Sequence, residues 1–203
     1  MKNLIPEAPV STDAKAAFGP GLDDIGFTAG TLIMTATGER PVEDLTVGDR
    51  LMTKDFCVQA VKSISLRTVD LSQHPDLRPI LIEGNAFGAL SPSLPIYASP
   101  MQRIALRHPL FDVFFGAQEV LAPSGYLVGH KGVQFVEAIE AVSYIFLGFA
   151  QHQLLYVENL AVDTGARDAS TRRPVLTQDE VRVALGVLSH RPTSSPLPRL
   201  DLH

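Results

Sequence analysis

The sequence predicts an all-β body with an extended arm before it and one helix near its C-terminal end. From Phe27 to about Thr164, apolar residues recur mostly at every second position, and turn-forming residues interrupt them roughly every 8–15 positions, as short strands require. Of the 203 residues, 45% are hydrophobic and 19% are charged, so the chain carries enough apolar material for one folded core.

Three regions follow from the composition along the chain. Residues 1–24 are predicted to form an extended arm, because their prolines, glycines and small or acidic side chains offer little surface to bury. Residues 25–165 are predicted to form the β domain. Residues 166–203 are expected to form a linker, a helix at 177–189 and an irregular, proline-containing tail.

The first strands of the β domain are predicted from local patterns. Residues 31–35 read as a short strand, residues 37–41 as a turn and residues 42–45 as a single docking turn. Apolar and polar side chains alternate over residues 58–69, which predicts one half-buried strand. The stretch 72–99 is rich in proline and glycine, so only Ile80-Leu81-Ile82-Glu83 within it is predicted to form a strand.

The second half of the domain contains three more strand patterns. Residues 119–123 are predicted to form a strand that ends in a turn. Residues 135–149 and 152–160 are rich in β-branched and aromatic side chains and are separated by Ala150 and Gln151, which predicts a long ribbon or a hairpin-like corner.

A helix is predicted at the C-terminal end of the chain. Thr177 and Glu180 have the spacing of a capping box, in which each side chain satisfies a backbone amide of the first helical turn. Apolar residues recur behind them at helical spacing, namely Val181, Ala184, Leu185 and Leu188. The resulting stripe predicts a helix that docks on the core.

The charge balance argues against nucleic acid as a partner. Seventeen Lys and Arg against 22 Asp and Glu give a net charge of −5, and no stretch of the chain concentrates basic residues enough to neutralise a run of phosphates.

The start of the chain lacks the apolar stretch of a secretory signal, and the longest apolar run, 144–150, is far shorter than the roughly 20 residues of a membrane-spanning helix. We therefore expect a cytoplasmic protein without a membrane span, although export without a cleaved signal stays open.

No local pattern predicts a cofactor or a metal site. The six histidines lack the paired spacing of metal ligands, and neither a glycine-rich phosphate loop nor a Gly-x-Ser-x-Gly elbow occurs. The single cysteine, Cys57, cannot form an intrachain disulfide, and no histidine or run of cations adjoins it. We expect a buried, unreactive thiol.

Three segments together resemble the Hint domains, the Hedgehog/intein self-processing family, and most closely its bacterial branch. The first runs from Gly26 to Thr53 and reads GFTAGTLIMTATGERPVEDLTVGDRLMT. The second, YASPMQRIAL at residues 97–106, is similar to the family's internal catalytic motif, and residues 142–159 are similar to its closing ribbon. The resemblance implies a compact, curved, pseudo-symmetric β fold over about residues 26–165.

The resemblance also implies which positions once carried the chemistry. The family's nucleophilic cysteine corresponds to Gly26, which has no side chain to attack the preceding carbonyl. Its internal motif has a Thr or Ser and, three residues later, a histidine that protonates the departing nitrogen; here these are Ser99 and Gln102. The family's late histidine corresponds to His152.

Each of these residues also has a structural interpretation, which stays open. Ser99 precedes Pro100 and is suited to starting a turn, and Gln102 is suited to bridging two loops. His152 is interpreted equally well as a structural histidine bonded to the backbone or as a catalytic remnant.

Because the nucleophile and the general acid are both replaced, the sequence predicts a processing-incompetent Hint-like domain that serves as a structural or protein-binding module. Its expected partner is a protein or peptide: its own arm, copies of itself or a partner subunit. The alternative is residual self-cleavage at the Ile25–Gly26 bond, with water or Ser99 replacing the thiol and His152 acting as base.

Overall fold

Two antiparallel β-sheets dominate the computed structural model, which describes residues 26–137, 139–165 and 173–189. The strands, numbered β1 to β14 in chain order, are Phe27–Thr28, Leu32–Thr35, Gly38–Pro41, Arg50–Thr53, Cys57–Ala60, Ser63–Asp70, Ile80–Ile82, Ile96–Ala98, Arg103–Arg107, Glu119–Pro123, Val133–Phe135, Ala141–Gly148, Leu154–Val157 and Leu160–Asp163. The helices are α1 (Phe111–Phe115) and α2 (Gln178–Ser189), with 3₁₀ turns at Val42–Asp44, Pro75–Leu77 and Ser124–Leu127.

The six-stranded sheet has the order β11-β7-β8-β1-β12-β6. The eight-stranded sheet has the order β10-β9-β14-β13-β4-β2-β3, and β5 pairs with β4. The short strand β1 lies between β8 and β12, with Phe27 opposite both Ala98 and Ile145. This arrangement places the residue before Phe27 at the centre of the six-stranded sheet.

One main core joins the two sheets and the C-terminal helix. Ile80 and Ile82 of the six-stranded sheet and Leu51 of the eight-stranded sheet are fully buried in it. Val181 and Ala184 of α2 are fully buried in the same core, and Leu185 and Leu188 pack against it. The predicted all-β body and the apolar face of the C-terminal helix are therefore confirmed.

Within the described residues the chain passes between the two sheets five times, and two of these passages, from β5 to β6 and from β12 to β13, bear on the sequence analysis. The single strand predicted over 58–69 is wrong, because β5 lies in the eight-stranded sheet and β6 in the six-stranded one. The break falls at Val61, which is 1% exposed, and at Lys62, whose amide already bonds the Gly148 carbonyl. β12 and β13 also lie in different sheets, so of the two predicted alternatives for the runs that flank Ala150 and Gln151, the structure has the corner and not the long ribbon.

Three smaller corrections concern turns and strand ends. The predicted turn at 37–41 is mostly strand β3, paired with β2, and β8 is a second strand in the stretch where only one was predicted. Residues 152–160 are no single run, because Glu158 and Asn159 adopt positive φ of 47° and 65° and form the turn between β13 and β14.

Cys57 is exposed, which overturns the expected burial. It opens β5 directly after the turn at residues 54–56 and has a φ of +56°. The predicted arm at 1–24, most of the linker and the tail beyond α2 lie outside the described residues. Among the residues described, no helix is both long enough and apolar enough to cross a bilayer.

Candidate functional site

Gly26 and Ser99 meet although they are 73 positions apart in the chain. Because β1 pairs with β8, the residue before β1 lies beside the residue that follows β8. The Gly26 amide donates a hydrogen bond of 3.2 Å to Ser99 Oγ, and Ser99 is 2% exposed. The first and second predicted site positions are therefore brought together.

The backbone of Gly26 is packed tightly against strand β12. A Cβ atom placed on Gly26 would lie 2.9 Å from Tyr144 Cβ and 2.9 Å from Phe146 Cε1. The Phe146 ring can rotate, but the Tyr144 Cβ is fixed to the backbone of β12. Any side chain at position 26 therefore requires the backbone of β1 or β12 to shift.

Gln102 is buried and spans two chain segments. Its amide donates to the Ser99 carbonyl at 2.9 Å, and its side-chain Nε2 donates to the Asp163 carbonyl at 2.9 Å. The side chain is 1% exposed. This contact ties the 99–102 turn to the end of β14, which agrees with the interpretation of Gln102 as a bridge between loops.

His152 is held by the carboxylate of Asp163. His152 Nε2 lies 2.6 Å from Asp163 Oδ1, and the same oxygen accepts the Gly165 amide at 2.8 Å. Arg103 Nη1 lies 3.3 Å from Asp163 Oδ2, an ion pair without hydrogen-bond geometry. Asp163 is fully buried, and these contacts matter because a buried carboxylate is costly unless it is paired or hydrogen-bonded.

A buried serine fixes the 99–102 turn from the other side. Ser124, fully buried, opens the 3₁₀ turn after β10. Its hydroxyl contacts the carbonyls of Ser99 at 2.6 Å and Pro100 at 3.2 Å, and its amide donates to the Gln102 carbonyl at 2.8 Å. The Gly125 amide adds a 2.8 Å bond to the Pro100 carbonyl.

The four predicted positions thus form one connected set, in which Gln102 binds both Ser99 and Asp163. Gly26 binds Ser99, while Gln102 and His152 both bind Asp163. Sequence reasoning missed Asp163 and Ser124, which hold these residues in place. Within the described ranges, no group of three His, Cys, Asp or Glu side chains is arranged to hold a metal ion.

The chemistry available to this arrangement is limited by its side chains. Ser99 Oγ contacts the nitrogen of the Ile25–Gly26 peptide bond, where a leaving amine would need a proton. Gln102 donates hydrogen bonds but does not transfer protons near neutral pH. His152 is a proton carrier, oriented by Asp163 in the way a carboxylate orients imidazole in acid–base catalysis.

A family model described as a Hint domain matches residues 25–169. The chain belongs to the Hint domain family. The match covers both sheets and the whole candidate site, and it ends before α2. No curated protein matches the chain.

Solved structures of inteins align with this Hint domain at low identity. A splice-inactive, glutathione-linked variant of the AceL NrdHF class 3 split intein shares 13% identity, with a TM-score of 0.48 over 70% of this chain and 99% of that chain. The MchDnaB-1 intein shares 15% identity, with a TM-score of 0.43 over 68% and 99%. The bacterial intein-like domain from Clostridium thermocellum shares 14% identity, with a TM-score of 0.43 over 69% and 98%.

Proposed function

We propose that this Hint domain has lost self-processing and serves as a structural or protein-binding module. The observation that carries the proposal is the packing at Gly26. The position has no nucleophile, and Tyr144 Cβ and the Phe146 ring occupy the space into which its side chain would project. The loss of the thiol is therefore accompanied by packing that excludes one.

The size of the expected rate loss favours the absence of self-cleavage over slow self-cleavage. Removing a nucleophile or an acting general acid costs on the order of 10²–10⁶ in rate, and these effects do not simply multiply. Here position 26 lacks the nucleophile, and Gln102 stands where the family has the general acid. Gln102 is instead engaged with the Asp163 carbonyl, a contact that supports a structural role for the residue.

The proposed binding role rests on what the site still does. The Gly26 amide is hydrogen-bonded to Ser99 Oγ, so the backbone at residue 26 is held at the centre of the six-stranded sheet. A cleft that holds an entering chain without cutting it suits a peptide or protein ligand. The occupant is the arm, a second copy or a partner subunit.

Intact mass spectrometry tests the loss of processing. The full chain is purified and incubated for days with and without hydroxylamine, which cleaves thioesters and esters, or a small thiol, which cleaves thioesters. We expect a single unchanged mass under every condition. A time-dependent split at Ile25–Gly26 would refute the proposal.

Residual self-cleavage is the competing function, and the His152–Asp163 pair, which Gln102 connects to Ser99, favours it. In that reaction water adds to the carbonyl carbon of residue 25, the bond to Gly26 nitrogen breaks, and the nitrogen takes the proton. If a split occurs, Ser99→Ala and His152→Ala identify the residues responsible. Arg182→Ala, on the exposed face of α2, serves as the matched control.

Sedimentation and binding measurements test the module. Sedimentation velocity of the full chain over a range of concentrations detects association of copies. Proteins captured from the native cell are then purified and titrated against the full chain. A chain that stays monomeric and binds no captured protein with saturable affinity contradicts the binding half of the proposal.

A further inference from the structure

The C-terminal helix reaches the candidate site through one short turn. Residues 173–176, which we call the strap, run alongside β10: the Leu121 amide bonds the Pro174 carbonyl, and the Leu176 amide bonds the Leu121 carbonyl. Directly after β10, the 3₁₀ turn Ser124–Leu127 packs against α2. The strap and α2 therefore contact two consecutive elements, β10 and this turn.

Buried apolar side chains and ion pairs both hold the strap and α2 against the β domain. Leu176 of the strap is 2% exposed, and Val181 and Ala184 of α2 are fully buried beside Leu127 in the main core. Arg173 of the strap forms a two-pronged ion pair with Asp55, with Nη1–Oδ2 at 2.8 Å and Nη2–Oδ1 at 2.6 Å. Arg173 also binds Glu119, which in turn binds Lys54.

The same 3₁₀ turn supplies the bonds that fix the 99–102 turn. Ser124 and Gly125 between them contact the carbonyls of Ser99, Pro100 and Gln102. Ser99 in turn accepts the Gly26 amide. A continuous chain of contacts thus leads from α2, through Ser124, to the peptide bond at which the chain enters the domain.

We propose that residues 173–189, which we call the brace, stabilise the hydrogen bond between Gly26 and Ser99. Ser124 is the positioning residue through which the brace acts on that bond. The brace lies beyond the residues that match the family model, so it adds a control element to the Hint fold. When the brace docks, Ser124 holds the Ser99 carbonyl and orients the hydroxyl that binds Gly26. When the brace undocks, the hydrogen bond between Gly26 and Ser99 weakens.

Amide hydrogen exchange, measured by NMR on the full chain, tests the brace. The probes are the amides of Gly26 and Gln102, and the reference is the Leu71 amide, bonded to the Glu140 carbonyl just beyond the paired strands β6 and β12. For Leu176→Ala, we expect the two probes to exchange at least about tenfold faster and the reference to change much less. Ser124→Ala should speed the same two probes without undocking α2, because it removes only the link.

The control is Arg182→Ala, which alters an exposed side chain of α2, 69% accessible, and should leave all three amides unchanged. Equal acceleration of probes and reference by Leu176→Ala would mean that the segment adds only global stability, and would overturn the proposal. Unchanged probes in Ser124→Ala would overturn the role of Ser124. Both readouts are independent of cleavage, so they distinguish failure of the brace from failure of the proposed loss of processing.

Discussion

His152 Nε2 lies 2.6 Å from the Asp163 carboxylate, which is fully buried. A buried carboxylate is costly unless cations or hydrogen-bond donors face it. Arg103 is the cation, His152 and the Gly165 amide bond the other carboxylate oxygen, and the backbone carbonyl of Asp163 accepts a hydrogen bond from Gln102. Asp163 is therefore the residue that organises this side of the site.

We expect Asp163→Asn to destabilise the fold by about 1.5–3 kcal/mol, the usual value of hydrogen bonds to a charged group. The amide keeps the size of the side chain but removes the charge that holds Arg103 and His152. Urea unfolding of the two proteins at neutral pH measures the difference. Asp179→Asn is the matched control, because Asp179 is 89% exposed and its ion pair with Arg182 lies on the surface of α2. A loss for Asp163→Asn no larger than that of the control contradicts the role given to Asp163.

Restoring the missing side chains should not restore processing. Gly26→Cys combined with Gln102→His supplies a thiol and an imidazole, but the Cβ at position 26 still meets Tyr144 Cβ at 2.9 Å. We expect no cleavage in the presence of hydroxylamine. Gly26→Cys alone should lower the free energy of unfolding by about 1–3 kcal/mol, as overpacked sites do.

Gly186→Ala is the control for the glycine substitution. Gly186 is exposed in α2, and a Cβ there meets no atom within 4 Å. Because alanine favours helix over glycine by about 1 kcal/mol, this variant should be as stable as the parent or more so. Cleavage of the Gly26→Cys, Gln102→His double variant would show that β1 yields easily and that crowding does not exclude the thiol.

The sequence contained the strands and the entry motif but not the contacts that tie the site together. Alternation located β6, and β-branched and aromatic content located β12. The change of sheet between β5 and β6 was missed, since periodicity continues there while the hydrogen-bond partner changes. Asp163 was missed because the turn at Glu158 and Asn159 was not recognised; glutamate seldom adopts positive φ. With that two-residue turn in place, Leu154 pairs with Asp163, and His152 comes within reach of it.

The helix was predictable because its signals are local. Thr177 and Glu180 bond as a capping box, with the Thr177 amide donating to Glu180 Oε2 at 2.8 Å and the Glu180 amide donating to Thr177 Oγ1 at 3.4 Å. The helix that follows, Gln178–Ser189, agrees with the predicted 177–189 to one residue. No local pattern predicted which part of the domain α2 packs against, because its contact with Ser124–Leu127 depends on the position of β10.

Cys57 should react readily in the folded protein. Its side chain is exposed at the start of β5, and no other cysteine exists in the chain. We expect a chromogenic disulfide reagent to modify one thiol per chain, at a rate within about tenfold of the rate in denaturant, since accessibility governs thiol reactivity together with thiolate content. Cys57→Ser should abolish the signal. A native rate slower by several orders of magnitude would mean that the thiol is protected.

The ion pair between Asp55 and Arg173 should make docking of the strap depend on pH. The hydrogen bonds from Arg173 hold the pKa of Asp55 below its ordinary value of 3.8, against the opposing effect of burial. A lowered folded-state pKa means that the ionised carboxylate stabilises the fold above about pH 4, and that this contribution is lost as the pH falls through the folded-state pKa. Arg173 stays charged throughout this range, because its own pKa is raised by Asp55.

We therefore expect Asp55→Asn to be less stable than the parent at pH 7, with the difference shrinking once the pH falls below about 4. Urea unfolding at pH 7, 5, 4 and 3 gives the comparison. Glu137→Gln is the control, because Glu137 is 80% exposed and forms only a long ion pair of 3.8 Å with Arg78, so loss of its charge should change stability little at pH 7. A difference between Asp55→Asn and the parent that stays constant from pH 7 to 3 would mean that Asp55 acts through packing or turn geometry and not through its charge.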